Sequence, residues 1–144
     1  MSNKLIGGLG IMLLLGGVVF MFSKTLPNDR AEPTPLGNDN IRVSMPLENS
    51  VIASPVTIRG EARGNWYFEA SFPIKLLDGN SKELAIAPAQ AQGEWMTTEF
   101  VPFELSLSYP TPATEIGTLV LMKDNPSGLP EHDDRIIIPV RFKK

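Results

Sequence analysis

The sequence predicts an all-β protein, a sandwich of about seven short strands that follows one transmembrane helix. Three observations lead to this fold class. The chain has 144 residues and opens with a long apolar stretch. The remainder alternates apolar and polar residues with a period of two, which is typical of strands with one buried face. Thirteen prolines and twelve glycines interrupt these runs and disfavour long helices.

The apolar stretch Leu5–Phe22 carries no charged side chain. As a helix it would be about 27 Å long, close to the hydrocarbon thickness of a bilayer. We predict that residues 1–24 form an uncleaved membrane anchor. A cleaved secretory signal is the alternative, but bulky residues, Val19-Phe20-Met21-Phe22, stand where cleavage needs small ones. We expect a single-pass protein of the cell membrane with its C-terminal domain outside the cytoplasm, because the four residues before the apolar stretch cannot form a domain.

Residues 25–40 read as a linker. They contain three prolines, charges of both signs and few apolar residues, so they cannot bury a core. The predicted domain follows at residues 41–144.

Five runs of this domain predict strands with one apolar face each. These faces are Val56 and Ile58; Phe68, Ala70, Phe72, Ile74 and Leu76; Phe103, Leu105 and Leu107; Val120 and Met122; and Ile136, Ile138, Val140 and Phe142.

Turn signals separate the runs. Asp78-Gly79-Asn80-Ser81 predicts a hairpin, and turns are also expected at Gly60–Asn65 and at Asn125–Gly128. Pro73 and Pro139 fall inside strand patterns, so we expect edge positions or bulges there, because proline cannot donate to a ladder. About seven strands without helices indicate an immunoglobulin-like β-sandwich. A small barrel of the OB type is the alternative.

Several motifs resemble one known family. The run Val51–Glu69, with Ser54-Pro55 and Gly60-Glu61-Ala62, resembles the opening of the bacterial germination-associated immunoglobulin-like domain, the second of the Gmad modules. Gly93–Thr97 and Asp124–Pro130 resemble its middle and its last hairpin. The resemblance covers about residues 41–142. It implies a β-sandwich outside the cytoplasm, found in envelope and germination-related proteins, and it implies no catalytic residues.

The composition excludes several kinds of chemistry. The chain has no cysteine, which excludes disulfides, thiol catalysis and cysteine-ligated metals, and one histidine, which excludes a multi-histidine centre. Residues 25–144 carry eleven Lys and Arg against sixteen Asp and Glu, a net charge of −5. Nucleic acid is therefore not an expected partner.

The acidic segment around His132 offers two chemical hypotheses, and we adopt neither. A catalytic His132 would need a serine within about 3 Å, and the chain has no Gly-x-Ser-x-Gly motif. Calcium would favour the carboxylates of Asp124, Glu131, Asp133 and Asp134, but their order lacks the alternating ligands of a calcium loop. We therefore predict no catalytic residue, no metal and no cofactor.

Two loops are candidate binding surfaces. Gly64–Tyr67 carries Trp66 and Tyr67, and Pro126–Asp134 carries Leu129 and His132. Exposed aromatic rings can stack on sugars or anchor a protein partner. The alternative is that the rings cap the end of the core.

The sequence as a whole predicts a membrane-anchored binding or assembly module of the bacterial cell envelope, without catalysis. Its expected partners are the membrane, through the N-terminal helix, and another envelope protein or a cell-wall polymer. A structural spacer and a hydrolase acting on cell-wall material are the alternatives.

Overall fold

The computed structural model describes residues 34–143, which belong to one unit. The predicted anchor, residues 1–24, and most of the predicted linker lie outside the described residues. Between residues 34 and 143, no helix has the length and apolarity that crossing a membrane requires.

The described chain is all-β, with nine strands and two short 3₁₀ helices. The strands are β1 (Leu36–Gly37), β2 (Ile41–Met45), β3 (Val51–Ile52), β4 (Val56–Arg63), β5 (Ser71–Asp78), β6 (Glu83–Ala91), β7 (Phe100–Leu107), β8 (Ile116–Met122) and β9 (Arg135–Phe142). The 3₁₀ helices are Gly64–Trp66 and Pro130–His132. Seven strands have five or more residues, which matches the predicted number, and β1 and β3 have two each.

The strands form one curled sheet in the order β1-β2-β4-β7-β6-β5-β8-β9-β3. Its two halves meet between β6 and β7, where only Gln90 pairs with Glu104 and Ala91 with Phe103. Phe72 on β5 nevertheless packs edge-on against Phe103 on β7, with ring centroids 4.9 Å apart. The halves therefore share one core, as in the predicted sandwich, although their strands join in a single curled sheet.

The predicted registers of β5, β7 and β9 are confirmed. Phe72, Ile74 and Leu76 on β5 are completely buried. Phe103 and Leu107 on β7 are also buried, with Leu105 half-buried between them. All four apolar residues predicted on β9 lie in the core as well.

Three details of the strand prediction are wrong. Phe68 and Ala70 do not continue the face of Phe72, because Glu69 and Ala70 form a two-residue turn with φ of 49° and 64°. Gly60 does not end β4, since it pairs with Phe103 in mid-strand. A side chain at Gly60 would come within 2.7 Å of the Phe103 ring, so glycine serves close packing there.

The third detail concerns β8. Its completely buried residues are Leu119 and Leu121, so Val120 and Met122 lie on the opposite face of the strand. Sequence alternation could not assign this register because β8 carries apolar residues on both faces.

The two prolines lie in interior strands, yet each avoids a ladder on one side. Pro73 pairs with Pro88 on β6, while pairing of β5 with β8 begins only at Ile74. Pro139 pairs with Thr118 on β8, while pairing of β9 with β3 begins at Arg141. Each proline therefore occupies a local edge, where no neighbouring strand needs the N–H that proline lacks.

The strand registers define two ends of the domain. Leu36 pairs with Val43, so the chain before β1 lies beside the end of β2 at Met45. We call this the linker end, and β9 finishes there at Phe142. The opposite end, where β8 stops at Met122 and β9 starts at Arg135, is the loop end.

Candidate functional site

The candidate site is the connection of residues 123–134 between β8 and β9, here called the β8–β9 loop. It is the longest connection between strands in the described chain. Residues 126–133 are all exposed. A hydrogen bond joins the two ends of the loop: Lys123 N donates to Asp134 O at 2.9 Å. The loop therefore projects from a fixed base on the sheet.

Asn125 organises the loop through its side-chain amide. Its Nδ2 donates to the carbonyl of Leu129 at 2.9 Å and to Oδ1 of Asp133 at 2.7 Å. Its Oδ1 accepts a hydrogen bond from Ser127 Oγ at 2.5 Å. Gly128 then takes a left-handed conformation, φ 66°, that favours glycine. These bonds hold Leu129 on the exposed side of the loop.

A groove of about 620 Å³ runs along the base of this loop. Polar and charged side chains dominate its lining, which consists of Pro73, Met122, Lys123, Asp124, Asn125, Asp133, Asp134 and Arg135. Both signs of charge are present, and Pro73 and Met122 add apolar surface, so the groove is mixed in character.

The structure brings a serine to His132, which the sequence could not show. Ser127 Oγ lies 3.1 Å from Nδ1 of His132. The hydroxyl has one proton, and its shorter contact is with Asn125 Oδ1, which can only accept. The ring nitrogen is then the donor toward Ser127, so the imidazole does not take the serine proton. Leu129 N also donates to the same oxygen at 3.2 Å. The pair stabilises the loop and does not form an activated nucleophile.

The prediction that Trp66 and Tyr67 form an exposed contact surface is wrong. Trp66 is completely buried, and Tyr67 is 4% exposed. Both rings pack edge-on against Phe72, at 6.3 Å and 5.4 Å between centroids. Both rings instead cap the end of the core, which was the alternative interpretation.

Each ring has a different polar environment. The Tyr67 hydroxyl donates to the carbonyl of Val101 at 2.7 Å. Burial raises the pKa of Tyr67 above its ordinary value, because a phenolate would lose its hydration there. Trp66 Nε1 is buried without a hydrogen-bond partner among the described residues.

Leu129 and His132 are the two predicted binding residues that reach solvent. Leu129 is 47% exposed, and His132 is exposed in the 3₁₀ helix Pro130–His132. The two predicted loops are neighbours, since Asp124 N donates to Trp66 O at 3.0 Å. Of the two loops, the β8–β9 loop is the one that presents its predicted binding side chains to solvent. Sequence reasoning missed the role of Asn125, for which the Asn-Pro turn was the available signal.

The acidic side chains of this loop do not converge on a common point. Across residues 34–143, no three His, Asp or Glu side chains come close enough together to hold a metal ion. Asp133 is instead bonded to Asn125, and Asp134 Oδ1 accepts from the backbone of Arg135. These two carboxylates therefore form hydrogen bonds with groups of the loop and of the strand that follows it.

Comparison with known proteins identifies the domain. Residues 40–129 match the Gmad2 family, described as the immunoglobulin-like domain of bacterial spore germination. The match covers β2 to β8 and the first half of the β8–β9 loop, whereas the expected resemblance extended to about residue 142. Among curated proteins and solved structures, none matches the chain. Because the family match spans more than half of the sequence, the chain belongs to the Gmad2 family of immunoglobulin-like domains of bacterial spore germination.

Proposed function

We propose that this chain is a membrane-anchored, extracytoplasmic binding or assembly module of the bacterial cell envelope. Residues 1–24 would serve as the anchor, residues 25–40 as the linker and residues 41–144 as the binding domain. Two observations support this proposal: the chargeless stretch Leu5–Phe22 and membership of a family of immunoglobulin-like domains of bacterial spore germination.

The observation that carries the proposal is that residue 34 and the β8–β9 loop lie at opposite ends of the domain. The first described residue, Thr34, lies at the linker end, and the loop lies at the loop end. The eight residues of β9 separate the two ends by about 27 Å, at about 3.4 Å per residue. The β8–β9 loop therefore lies at the end of the domain that is distant from residue 34.

The loop offers a mixed surface for a partner. Leu129 supplies an exposed apolar contact, while His132 and the neighbouring carboxylates supply polar ones. Small apolar contacts within a polar rim are typical of transient protein interfaces. The partner is another envelope protein or a cell-wall polymer. Nucleic acid does not fit, because residues 25–144 carry a net charge of −5.

The proposal includes no catalysis. The Ser127–His132 pair is the nearest approach to a nucleophile and base, and its hydrogen bonds leave the serine unactivated. Binding therefore accounts for the exposed loop better than hydrolysis does.

Two measurements test the proposal. The first is fractionation: the full-length chain should stay with membranes at its unprocessed mass, and protease added outside the membrane should remove the domain. A soluble, shortened form would contradict the anchor.

The second is capture of envelope components after crosslinking in intact cells. Leu129→Ala combined with His132→Ala should reduce capture about tenfold, while Met96→Ala should not. Met96 is a suitable control because it is 74% exposed in the connection between β6 and β7. Equal loss in both variants would contradict the assignment to the β8–β9 loop, and absence of any captured component would favour a spacer.

A further inference from the structure

The groove at the base of the β8–β9 loop is lined by five charged side chains that form no ion pair with one another. They are Lys123, Asp124, Asp133, Asp134 and Arg135. The ion pairs found among residues 34–143 join β2 to β4, β4 to β7 and β5 to β6, so none of them includes a charged group of the groove. Opposite charges that share a groove attract each other. Their separation therefore needs a structural cause.

Local hydrogen bonds hold three of the five charged side chains in place. Lys123 Nζ donates to the carbonyl of His132 at 3.2 Å. Asp133 Oδ1 accepts from Asn125 Nδ2 at 2.7 Å. Asp134 Oδ1 accepts from the backbone N–H of the residue that follows it at 2.8 Å. Because these bonds fix the side chains to the loop and its strand, the opposite charges of the groove do not close on each other.

The other two charged side chains, Asp124 and Arg135, are free. Neither makes a hydrogen bond or an ion pair with another group in the described part of the chain. Arg135 is the strand partner of Met122, and Asp124 lies two residues beyond Met122. At about 3.4 Å per residue, the two free charges are attached roughly 7 Å apart along the strand direction. The groove therefore offers one free charge of each sign.

The groove also has apolar surface beside these charges. Met122 ends β8, and Pro73 lies on the neighbouring strand β5, next to Ile74, which pairs with Leu121. Pro73 and Met122 are both half-buried and line the groove. The volume of about 620 Å³ falls within the range of about 300–1,000 Å³ that is typical of small-ligand sites.

Three classes of ligand do not match this lining. A simple anion would meet three carboxylates against two cations. A metal ion would lack ligands, because no three acidic or histidine side chains converge between residues 34 and 143. A wholly apolar ligand would take water from the charged groups and return no partner to them. The lining instead matches a ligand that carries both signs of charge and a short apolar part.

We infer that the groove binds a short peptide that has a free amino group and a free carboxylate. The amino group lies at Asp124. The carboxylate lies at Arg135, whose planar guanidinium can donate two parallel hydrogen bonds to it. Small side chains of the peptide contact Pro73 and Met122. An extended tripeptide is about 10 Å long, enough to span the two free charges. Since the groove belongs to the β8–β9 loop, this ligand class rests on the proposed binding function.

Titration of the full-length chain in detergent micelles with trialanine tests the inference. Trialanine carries both charged ends and only methyl side chains. The backbone amide signals of residues 122–125 and 133–135 should shift in nuclear magnetic resonance spectra, and their shifts give the dissociation constant. N-acetyl-trialanine and trialanine amide each lack one charge, so each should bind about tenfold more weakly, the loss expected for one charge-assisted hydrogen bond.

Two substitutions assign the ends of the peptide. Asp124→Asn should weaken trialanine binding about tenfold and should abolish the effect of N-acetylation. Arg135→Gln should weaken binding by about the same factor and should abolish the effect of amidation. Comparing each substitution with each capped peptide separates a direct contact from a general change of charge, because only groups in contact give non-additive losses.

The controls change the net charge by the same amount at the other end of the domain. They are Glu48→Gln, in the connection between β2 and β3, and Arg141→Gln, near the end of β9. Both side chains are exposed and neither lines the groove. Both variants should bind trialanine as tightly as the unchanged chain. Melting temperatures should show that all four variants are folded.

Four results would overturn the inference. They are no shift of the groove amides, equal affinity for trialanine and for the peptide capped at both ends, equal losses in the groove and control variants, and capping effects that persist in both groove variants.

Failure of the proposed function is a separate result, because Leu129 and His132 do not line the groove. Capture of an envelope component that depends on Leu129 and His132, without trialanine binding, would overturn this inference alone. Trialanine binding without such capture would count against the proposed function alone.

Discussion

Phe72 is the residue whose removal should most weaken the fold. It is completely buried on β5 and touches three aromatic rings, those of Trp66, Tyr67 and Phe103. Phe72→Ala should lower the free energy of unfolding by about 3–5 kcal/mol through lost burial and a cavity. Since each edge-on ring pair contributes about 0.5–1.5 kcal/mol beyond burial, we expect the upper part of that range.

That loss is large against the total. A domain of about 110 residues has a free energy of unfolding of roughly 5–16 kcal/mol. At about 4 °C per kcal/mol, a loss of about 5 kcal/mol lowers the melting temperature by roughly 20 °C. Thermal unfolding followed by near-ultraviolet circular dichroism measures this shift.

The matched control is Phe68→Ala, which removes the same atoms from a ring that is 41% exposed. It should lower the melting temperature by only a few degrees. Lys75→Ala should also have a small effect, because its ion pair with Glu83 is exposed to solvent. If Phe68→Ala and Phe72→Ala destabilise equally, the turn at Glu69 and the register of β5 are wrong.

Four further predictions concern Tyr67 and the β8–β9 loop. Tyr67→Phe should cost about 1–3 kcal/mol in urea unfolding, because it leaves the carbonyl of Val101 buried without its donor; a neutral result would contradict that bond. Burial raises the folded-state pKa of Tyr67. The neutral ring therefore contributes fully to the free energy of unfolding below the unfolded-chain pKa of about 10, and this contribution is lost as the pH rises from there toward the folded-state pKa. Melting temperatures should therefore fall above pH 10, less steeply in Tyr67→Phe, and equal slopes would refute this cause. Asn125→Ala should speed backbone amide hydrogen exchange in the β8–β9 loop with little change in melting temperature. An unchanged exchange rate would show that Asn125 does not order the loop. Millimolar calcium should leave the melting temperature unchanged; a rise of several degrees would reveal a native-state site.

Alternation predicted the strands that have one apolar face. In β5, β7 and β9 every second residue faces the core. Asp78 marks the hairpin between β5 and β6. Asp78 Oδ1 accepts from the backbone of Asn80 and Lys82 at 2.8 Å and 2.9 Å. These features depend on neighbouring residues, which is why the sequence alone indicates them.

The errors have tertiary causes. Glu69 and Ala70 take left-handed conformations without the glycine or asparagine that usually signals such a turn. Gly60 resembles a turn residue, but it makes room for the Phe103 ring from a distant strand. Trp66 and Tyr67 could cap a core or contact a partner, and the position of Phe72 decides between these. In each case the deciding group is far away in the chain.

The most direct test of the proposed function is photocrosslinking from position 129 in intact cells. A photoreactive amino acid at Leu129, which is 47% exposed on the β8–β9 loop, should crosslink to an envelope protein or a cell-wall polymer. The same probe at Ser106, on the outer side of β7, should not. A product from position 129 alone is the predicted result. Equal products from both positions, or none from position 129, would contradict a binding role for the loop.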